Sequence, residues 1–199
     1  NKLKYMFVLI IMKKNKNLTV IIVTYLTNKK ILFNCINSID KKIKILIIEN
    51  SKKFLHEKYF LKNFSNVEVI CTGLNLGYGK GNNFGLLKAK TDYALILNPD
   101  IICEKGFFVK IKKVINQSKN FSIIGCQYSN DKTYLPAGYF NEDKHKIFQK
   151  NFFKIKNKTL TPVDWVTGCS LLINLKKFKK KDIFDKNYFL YFEEFDLCK

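Results

Sequence analysis

Arginine is absent from this chain of 199 residues: all 36 basic residues are lysine, set against 16 acids for a formal charge of +20. Such an excess invites a nucleic-acid partner, because phosphate neutralisation draws on basic side chains. Sequence-specific readers, however, lean on the bidentate fork of arginine. The lysines are also scattered, as in Lys41–Lys42, Lys112–Lys113 and Lys176–Lys181, with no single basic tail. A composition tilted toward Lys, Asn, Ile and Phe accounts for the charge, which bears on solubility and association and not on fold. No nucleic-acid partner is expected. Lysines bordering exposed aromatics leave attraction to an anionic membrane surface as a secondary reading.

Closely spaced cysteine pairs are missing too. Cys35, Cys71, Cys103, Cys126, Cys169 and Cys198 form no C-x-x-C motif, which argues against a zinc site. Several lie inside apolar runs, where free cysteine behaves as a small hydrophobe, and this points to a reducing compartment. The two histidines, His56 and His145, are isolated and expected at the surface. No apolar run is long enough to span a bilayer; Tyr5–Met12 comes nearest, and no small-residue cleavage site follows it. Met12 heads MKKNKNLTVIIVTY and reads as a start, which would make residues 1–11 a dispensable extension. The end at Phe195–Lys199 carries no helix terminator and reads as a truncation.

What the chain does contain is alternation. Leu18–Thr24 (LTVIIVT) is a short β-branched run, the pattern of a strand buried on both faces, and Ile43–Glu49 (IKILIIE), Val67–Cys71, Tyr93–Leu97 and Phe121–Cys126 read as further strands. Between them, Lys29–Ile39, Phe54–Phe64, Gly81–Lys90 and Lys105–Ile115 show helical spacing. The region Tyr128–Thr161 is irregular and reads as loops or an antiparallel excursion, and order resumes at Val163–Ile173. Strands alternating with helices predict an α/β fold: one Rossmann-like domain, its mostly parallel central sheet carrying helices on both faces.

In such sheets ligands bind beyond the carboxyl ends of the strands, so the residues after each strand are the candidates. They are Thr24-Tyr25, Glu49-Asn50-Ser51, Thr72 onward and Asn98-Pro99-Asp100, all polar apart from the proline. The glycine-dense stretch Asn75–Gly85 is not a Walker A loop, because Leu74 stands where the first glycine belongs and Gly81 follows Lys80. It is not a dinucleotide fingerprint either, since Phe84 replaces the third glycine and the stretch follows the third strand. Its glycines leave room for a ligand or for another segment of backbone. Pro99 must end its strand, and it presents Asp100 at the sheet edge on a stiff turn. A carboxylate there suits a hard divalent cation, Mg²⁺ or Mn²⁺, that would grip a diphosphate. The third cluster, Phe184–Cys198, sets Asp185, Glu193, Glu194 and Asp196 among aromatics, where a carboxyl group can become basic enough to accept a proton.

Taken in order, VIIVTYLTNKKILFNCINSI (Val20–Ile39), ILIIENS (Ile45–Ser51), NLGYGKGNNFGLLKAKTDYALILNPDI (Asn75–Ile101), DWVTGCSLLI (Asp164–Ile173) and FDKNYFLYFEEFDLC (Phe184–Cys198) resemble the inverting family-2 glycosyltransferases, in particular their rhamnosyltransferase-like branch. The resemblance implies a GT-A fold over residues 12–199, cut short at its C-terminus. By position it puts Thr24, Tyr25, Glu49, Asn50, Asn75, Gly77, Tyr78, Gly81, Asn82, Asn98 and Asp100 around a nucleotide-sugar donor (dTDP- or UDP-linked), with Asp100 as ligand to a divalent cation. It implies that Trp165 and Gly168 shape the pocket toward the acceptor, a glycan or lipid-linked hydroxyl. Glu194 falls at the place of the catalytic base, with Glu193 and Asp196 as alternates. It also implies work in the cytoplasm, peripherally at the inner face of the membrane. The chain departs from the family at Glu49 for aspartate, Lys80 for a frequent glycine, Phe84 for a frequent arginine, Asn98 for the first aspartate of D-x-D, and Glu194 for aspartate. Three rivals stand beside this reading. A sugar-phosphate nucleotidyltransferase would need a glycine-rich, arginine-bearing loop where the chain has Thr24–Thr27. The others are a basic nucleic-acid-binding protein and a degenerate, inactive transferase.

Overall fold

The computed structural model describes residues 18–118, 120–126, 137–141, 146–148, 160 and 162–199. The expected extension over residues 1–11, the start at Met12, His145 and much of the irregular stretch 128–161 lie outside them.

The element order is β1 (Leu18–Thr24), α1 (Lys29–Asn37), β2 (Lys44–Glu49), α2 (Glu57–Asn63), β3 (Val67–Cys71), α3 (Gly77–Lys88), β4 (Tyr93–Leu97), α4 (Phe107–Gln117), β5 (Ile123–Gly125), β6 (Ala137–Asn141), β7 (Lys146–Phe148), β8 (Trp165–Val166), β9 (Ser170–Asn174) and α5 (Glu193–Leu197). Six strands form the central sheet in the order β3-β2-β1-β4-β9-β5. Strands β1 to β4 pair in parallel, and β9 alone runs the other way, antiparallel to both β4 and β5. Three short strands, β7-β6-β8, make a separate antiparallel sheet, the excursion expected after Tyr128.

The period of two along each strand sorts the core into two layers. Val20, Ile22, Ile45, Ile47 and Leu95 face α1, α2 and α4 through Leu32, Ile36, Phe60, Phe108 and Ile111. Ile21, Leu46, Ile48, Ala94 and Ile96 face the other way, toward Leu86 of α3, Ala89 just past its end, and Leu171, Ile173 and Phe184. Helix α1 starts where Asn28 Oδ1 accepts from the backbone N–H of Lys30 (2.8 Å) and Ile31 (3.4 Å), an N-cap. Strand β5 is shorter than the run Phe121–Cys126. Its pairing with β9 tapers into bonds from Asn174 N to Ser122 O (2.9 Å) and from Cys126 N to Ser170 O (3.0 Å).

Helix α3 corrects the reading of the glycine stretch as a loop with a helix from Gly81. The helix begins four residues earlier, at Gly77, so Gly77, Gly79, Gly81 and Gly85 are all helical and buried. Each glycine costs a helix about 1 kcal/mol relative to alanine, and close packing offsets that. A Cβ on Gly85 would lie 2.5 Å from Ile21 Cγ2, and one on Gly81 would lie 2.9 Å from Val23 Cγ1. The missing side chains let α3 lie directly on β1 and β2.

Candidate active site

The carboxyl ends of the parallel strands form one polar rim. Thr24 and Glu49 are register partners at the ends of β1 and β2. The Thr24 hydroxyl donates to Glu49 Oε2 at 2.6 Å, and the Leu26 backbone N–H reaches Glu49 Oε1 at 3.4 Å. Both side chains are buried, as is Asn50, which donates from Nδ2 to the Gly77 carbonyl at 2.9 Å. Tyr25 and Leu26 stand out into solvent above this layer, with Leu26 at φ 50°. One strand over, the Asn98 N–H donates to the Cys169 carbonyl (2.9 Å), Pro99 ends the ladder, and Asp100 is exposed.

Helix α3 enters from the opposite layer. Asn75 Oδ1 accepts from Gly77 N at 3.0 Å in the turn that leads into the helix. A Cβ on Gly77 would sit 2.1 Å from the Phe189 carbonyl oxygen, so the room left there is filled by backbone of the acidic segment. The Tyr78 N–H donates to that same carbonyl at 3.0 Å. Asn82 is fully buried and donates to the Tyr78 carbonyl at 3.0 Å. Gly77, Gly81 and Asn82 thus meet protein in this structure, whereas Tyr78 and Asn75 are partly open.

The three candidate acids differ sharply. Glu193 is buried, with its Oε2 lacking a hydrogen-bond partner among the described residues; burial pushes its carboxyl above the ordinary range, and the Glu194 charge adds to the effect. Glu194 is partly exposed and is also raised, chiefly by desolvation. Asp196 is exposed. Trp165 is buried with its ring 4.7 Å from that of Phe195, and its Nε1 likewise finds no partner among the described residues.

These parts meet around one tyrosine and one turn. The Tyr78 hydroxyl donates to the Gly168 carbonyl, its ring fits where a Gly168 side chain would be, and it packs edge-on against Phe184. Desolvation raises Tyr78 well above the ordinary phenol, and the nearby carboxyl groups of Glu193 and Glu194 add to that. Cys169 in turn is pushed up to about 11, mainly by burial and in part by Asp100. Cys35, which donates to the Asn98 carbonyl at 3.7 Å, is pushed up to about 12, again chiefly by burial with Asp100 contributing. Hydrogen bonds thus link the Asn98-Pro99-Asp100 turn to the Gly168-Cys169 turn, and Tyr78 links that turn to Phe189 of the acidic segment. The thiols beneath Asp100 stay protonated and inert at neutral pH.

Sequence reasoning singled out neither Cys169 nor Phe184 and gave Asn83 no role of its own. Their roles come from partners about 70 to 100 positions away in the chain, as in the pairs Cys169–Asn98 and Asn83–Phe184. No local pattern signals such pairs.

Among the described residues, no three His, Cys, Asp or Glu side chains gather as a cation cage. The donor set nonetheless fits a Mg²⁺-type site: one exposed carboxylate, Asp100, suits a hard ion whose remaining positions are taken by water and substrate phosphates. No helix among the described residues is long and apolar enough to cross a membrane.

Similarity to known proteins bears on the family and the fold. The chain is 30% identical over 190 residues to rhamnosyltransferase WbbL of Escherichia coli (strain K12), covering 85% of this chain and 70% of that one. It is 25% identical to the low-salt glycan biosynthesis hexosyltransferase Agl10 of Haloferax volcanii, covering 92% of this chain and 60% of the relative. The fold is shared with S. aureus TarS 1-349 in complex with UDP (TM-score 0.61, 18% identity, 92% of this chain and 54% of that one). It is shared also with the Pyrobaculum calidifontis mannosyltransferase PcManGT in complex with GDP-Man and Mn²⁺ (TM-score 0.58, 12% identity, 86% and 48%). The chain thus spans between about half and 70% of the length of these proteins. Residues 19–180 match the model of Glycosyl transferase family 2, and with the GT-A architecture and the polar rim described above this chain belongs to that family.

Proposed function

We propose that this chain is an inverting transferase that moves a sugar, rhamnose or a hexose, from a dTDP- or UDP-linked donor to a hydroxyl of a growing surface polysaccharide or lipid-linked glycan. It would act in the cytoplasm, peripherally at the inner face of the membrane. The carrying observation is a run of contacts between the Asn98-Pro99-Asp100 turn and the acidic segment: the Asn98 N–H donates to the Cys169 carbonyl (2.9 Å), the Tyr78 hydroxyl donates to the neighbouring Gly168 carbonyl, and the Tyr78 N–H donates to the Phe189 carbonyl (3.0 Å). The relatives' names, a rhamnosyltransferase and a hexosyltransferase, support the sugar class.

Glu194, partly exposed and made more basic by burial, takes the proton from the acceptor hydroxyl. The acceptor oxygen bonds to the anomeric carbon as the bond to the diphosphate oxygen breaks, and the nucleoside diphosphate leaves with that electron pair. One displacement inverts the carbon, through an oxocarbenium-like transition state. Asp100 would hold a Mg²⁺ or Mn²⁺ ion, which when bound neutralises charge on the departing diphosphate. Glu193, buried beneath, is the poorer base because solvent and acceptor do not reach it.

A panel of nucleotide-sugars with Mn²⁺, read by thermal stabilisation and by slow donor hydrolysis, tests this. At least one dTDP- or UDP-sugar should stabilise the protein, and Asp100→Asn should remove the Mn²⁺-dependent part while leaving the unliganded Tm unchanged. Folded protein that responds to none of the donors rejects the reading.

A further inference from the structure

We infer that Asn83 is a positioning residue: its side-chain amide clamps the backbone of Phe184 onto α3 and thereby places the acid-bearing segment that ends in Glu193 and Glu194. The inference rests on the proposed role of Glu194 as base.

The geometry is that of a peptide pair. Asn83 Nδ2 donates to the Phe184 carbonyl at 2.7 Å, and the Phe184 N–H donates to Asn83 Oδ1 at 3.0 Å, across 101 positions of sequence. Only a side chain carrying both a donor and an acceptor can meet one residue's N–H and C=O together. Both partners are buried, so neither bond competes with water. The absent side chain of Gly79 lets the pair close up, since a Cβ there would lie 3.2 Å from Phe184 Cβ.

A second tether, Tyr78 N to Phe189 O at 3.0 Å, lies five residues along the same segment. Beyond it, Phe189, Leu190, Tyr191 and Phe192 are exposed, and Tyr191 (φ 70°) and Phe192 (φ 68°) occupy the left-handed region in succession. Two adjacent non-glycine residues keep that conformation only when the chain on either side is held. Upstream the hold comes from Phe184 and Phe189. Downstream it is the contact of Phe195 with Trp165. Glu193 and Glu194 lie between these anchors, so their placement depends on the clamp, although Asn83 itself need not touch substrate.

Trp165 is the chain's single tryptophan and lies against Phe195, so its emission reports the seat of α5 without any assay of activity. In Asn83→Ala both bonds are lost. In Asn83→Asp the shape is kept and the acceptor half survives, but a carboxylate oxygen faces the Phe184 carbonyl. Both variants should shift Trp165 emission or its quenching by acrylamide well below the melting transition. They should lower kcat by roughly ten- to a hundredfold, the scale of a misplacement on the order of 1 Å, with donor Kd unchanged. Phe60→Leu, buried on the opposite face of the sheet, serves as a destabilising control and should leave the Trp165 signal in place. Should the alanine variant fail to fold, the near-isosteric aspartate variant carries the test. Native-like Trp165 emission, or native-like kcat, in Asn83→Asp overturns the inference. Wild-type protein inactive on all donors would instead sink the transferase reading, and the fluorescence comparison would still decide whether Asn83 seats the segment.

Discussion

The Thr24 hydroxyl donates to the Glu49 carboxylate across 2.6 Å, tying together the last residues of two neighbouring parallel strands. The carboxylate is wholly enclosed, and its other oxygen reaches the Leu26 N–H. Where an aspartate would be shorter, the extra methylene lets Glu49 brace the loop that carries the exposed Tyr25. Thr24→Val should leave Glu49 Oε2 buried without this partner and cost about 1–3 kcal/mol in urea unfolding. Donor affinity should fall with it, measured by titration of the nucleotide-sugar that gives the largest thermal shift.

Glu193 and Glu194 are adjacent in sequence and unequal in setting. Glu194→Gln should lower kcat by roughly 10²- to 10⁴-fold with little change in donor affinity. Asp196→Asn, at an exposed position, should stay near the native rate. Because the base works only when ionised and burial raises its pKa, the acid limb of kcat/KM should lie above the ordinary carboxylate range. A Glu194→Gln variant of native rate would remove this residue from the chemistry.

Stability should carry its own pH signature at Glu193. Its folded-state pKa is raised, first by burial and then by Glu194, so its favourable contribution is present below the unfolded pKa and lost as pH rises through the folded one. Glu193→Gln should therefore melt higher than wild type at pH 8, with the difference closing as the pH falls toward 4. A constant difference across that range would mean that Glu193 does not titrate in this way.

Gly85 is held against β1. A methyl there would meet Ile21 Cγ2 at 2.5 Å and Ile48 Cγ1 at 3.2 Å, both on stiff β-branched side chains. Gly85→Ala gains about 1 kcal/mol of helix propensity. Overpacking costs about 1–3 kcal/mol, so the variant should unfold at lower urea than wild type. A higher midpoint would show that α3 can lift off the sheet cheaply.

Much of the scaffold was legible along the chain. LTVIIVT is rich in β-branched residues and YALIL is too short for a helix, both are too uniformly apolar for exposed strands, and they became β1 and β4 at the expected bounds. Pro99 ended β4 because it has no N–H to give, and that alone put Asp100 at the rim. These outcomes follow from local chemistry: side-chain branching, period and backbone donors act within a few residues.

The rest was decided by contacts between distant residues. The glycines of α3 fit a loop around a ligand or a helix pressed on a sheet, and only the positions of Ile21, Val23 and Phe189 chose the helix. The reversed direction of β9 came from its pairing with β4 and β5. The division between a buried Glu193 and an accessible Glu194, with Asn83 holding the segment before them, needed partners about a hundred positions apart. Identity and spacing specify which groups are available, whereas burial and orientation are properties of the packed whole.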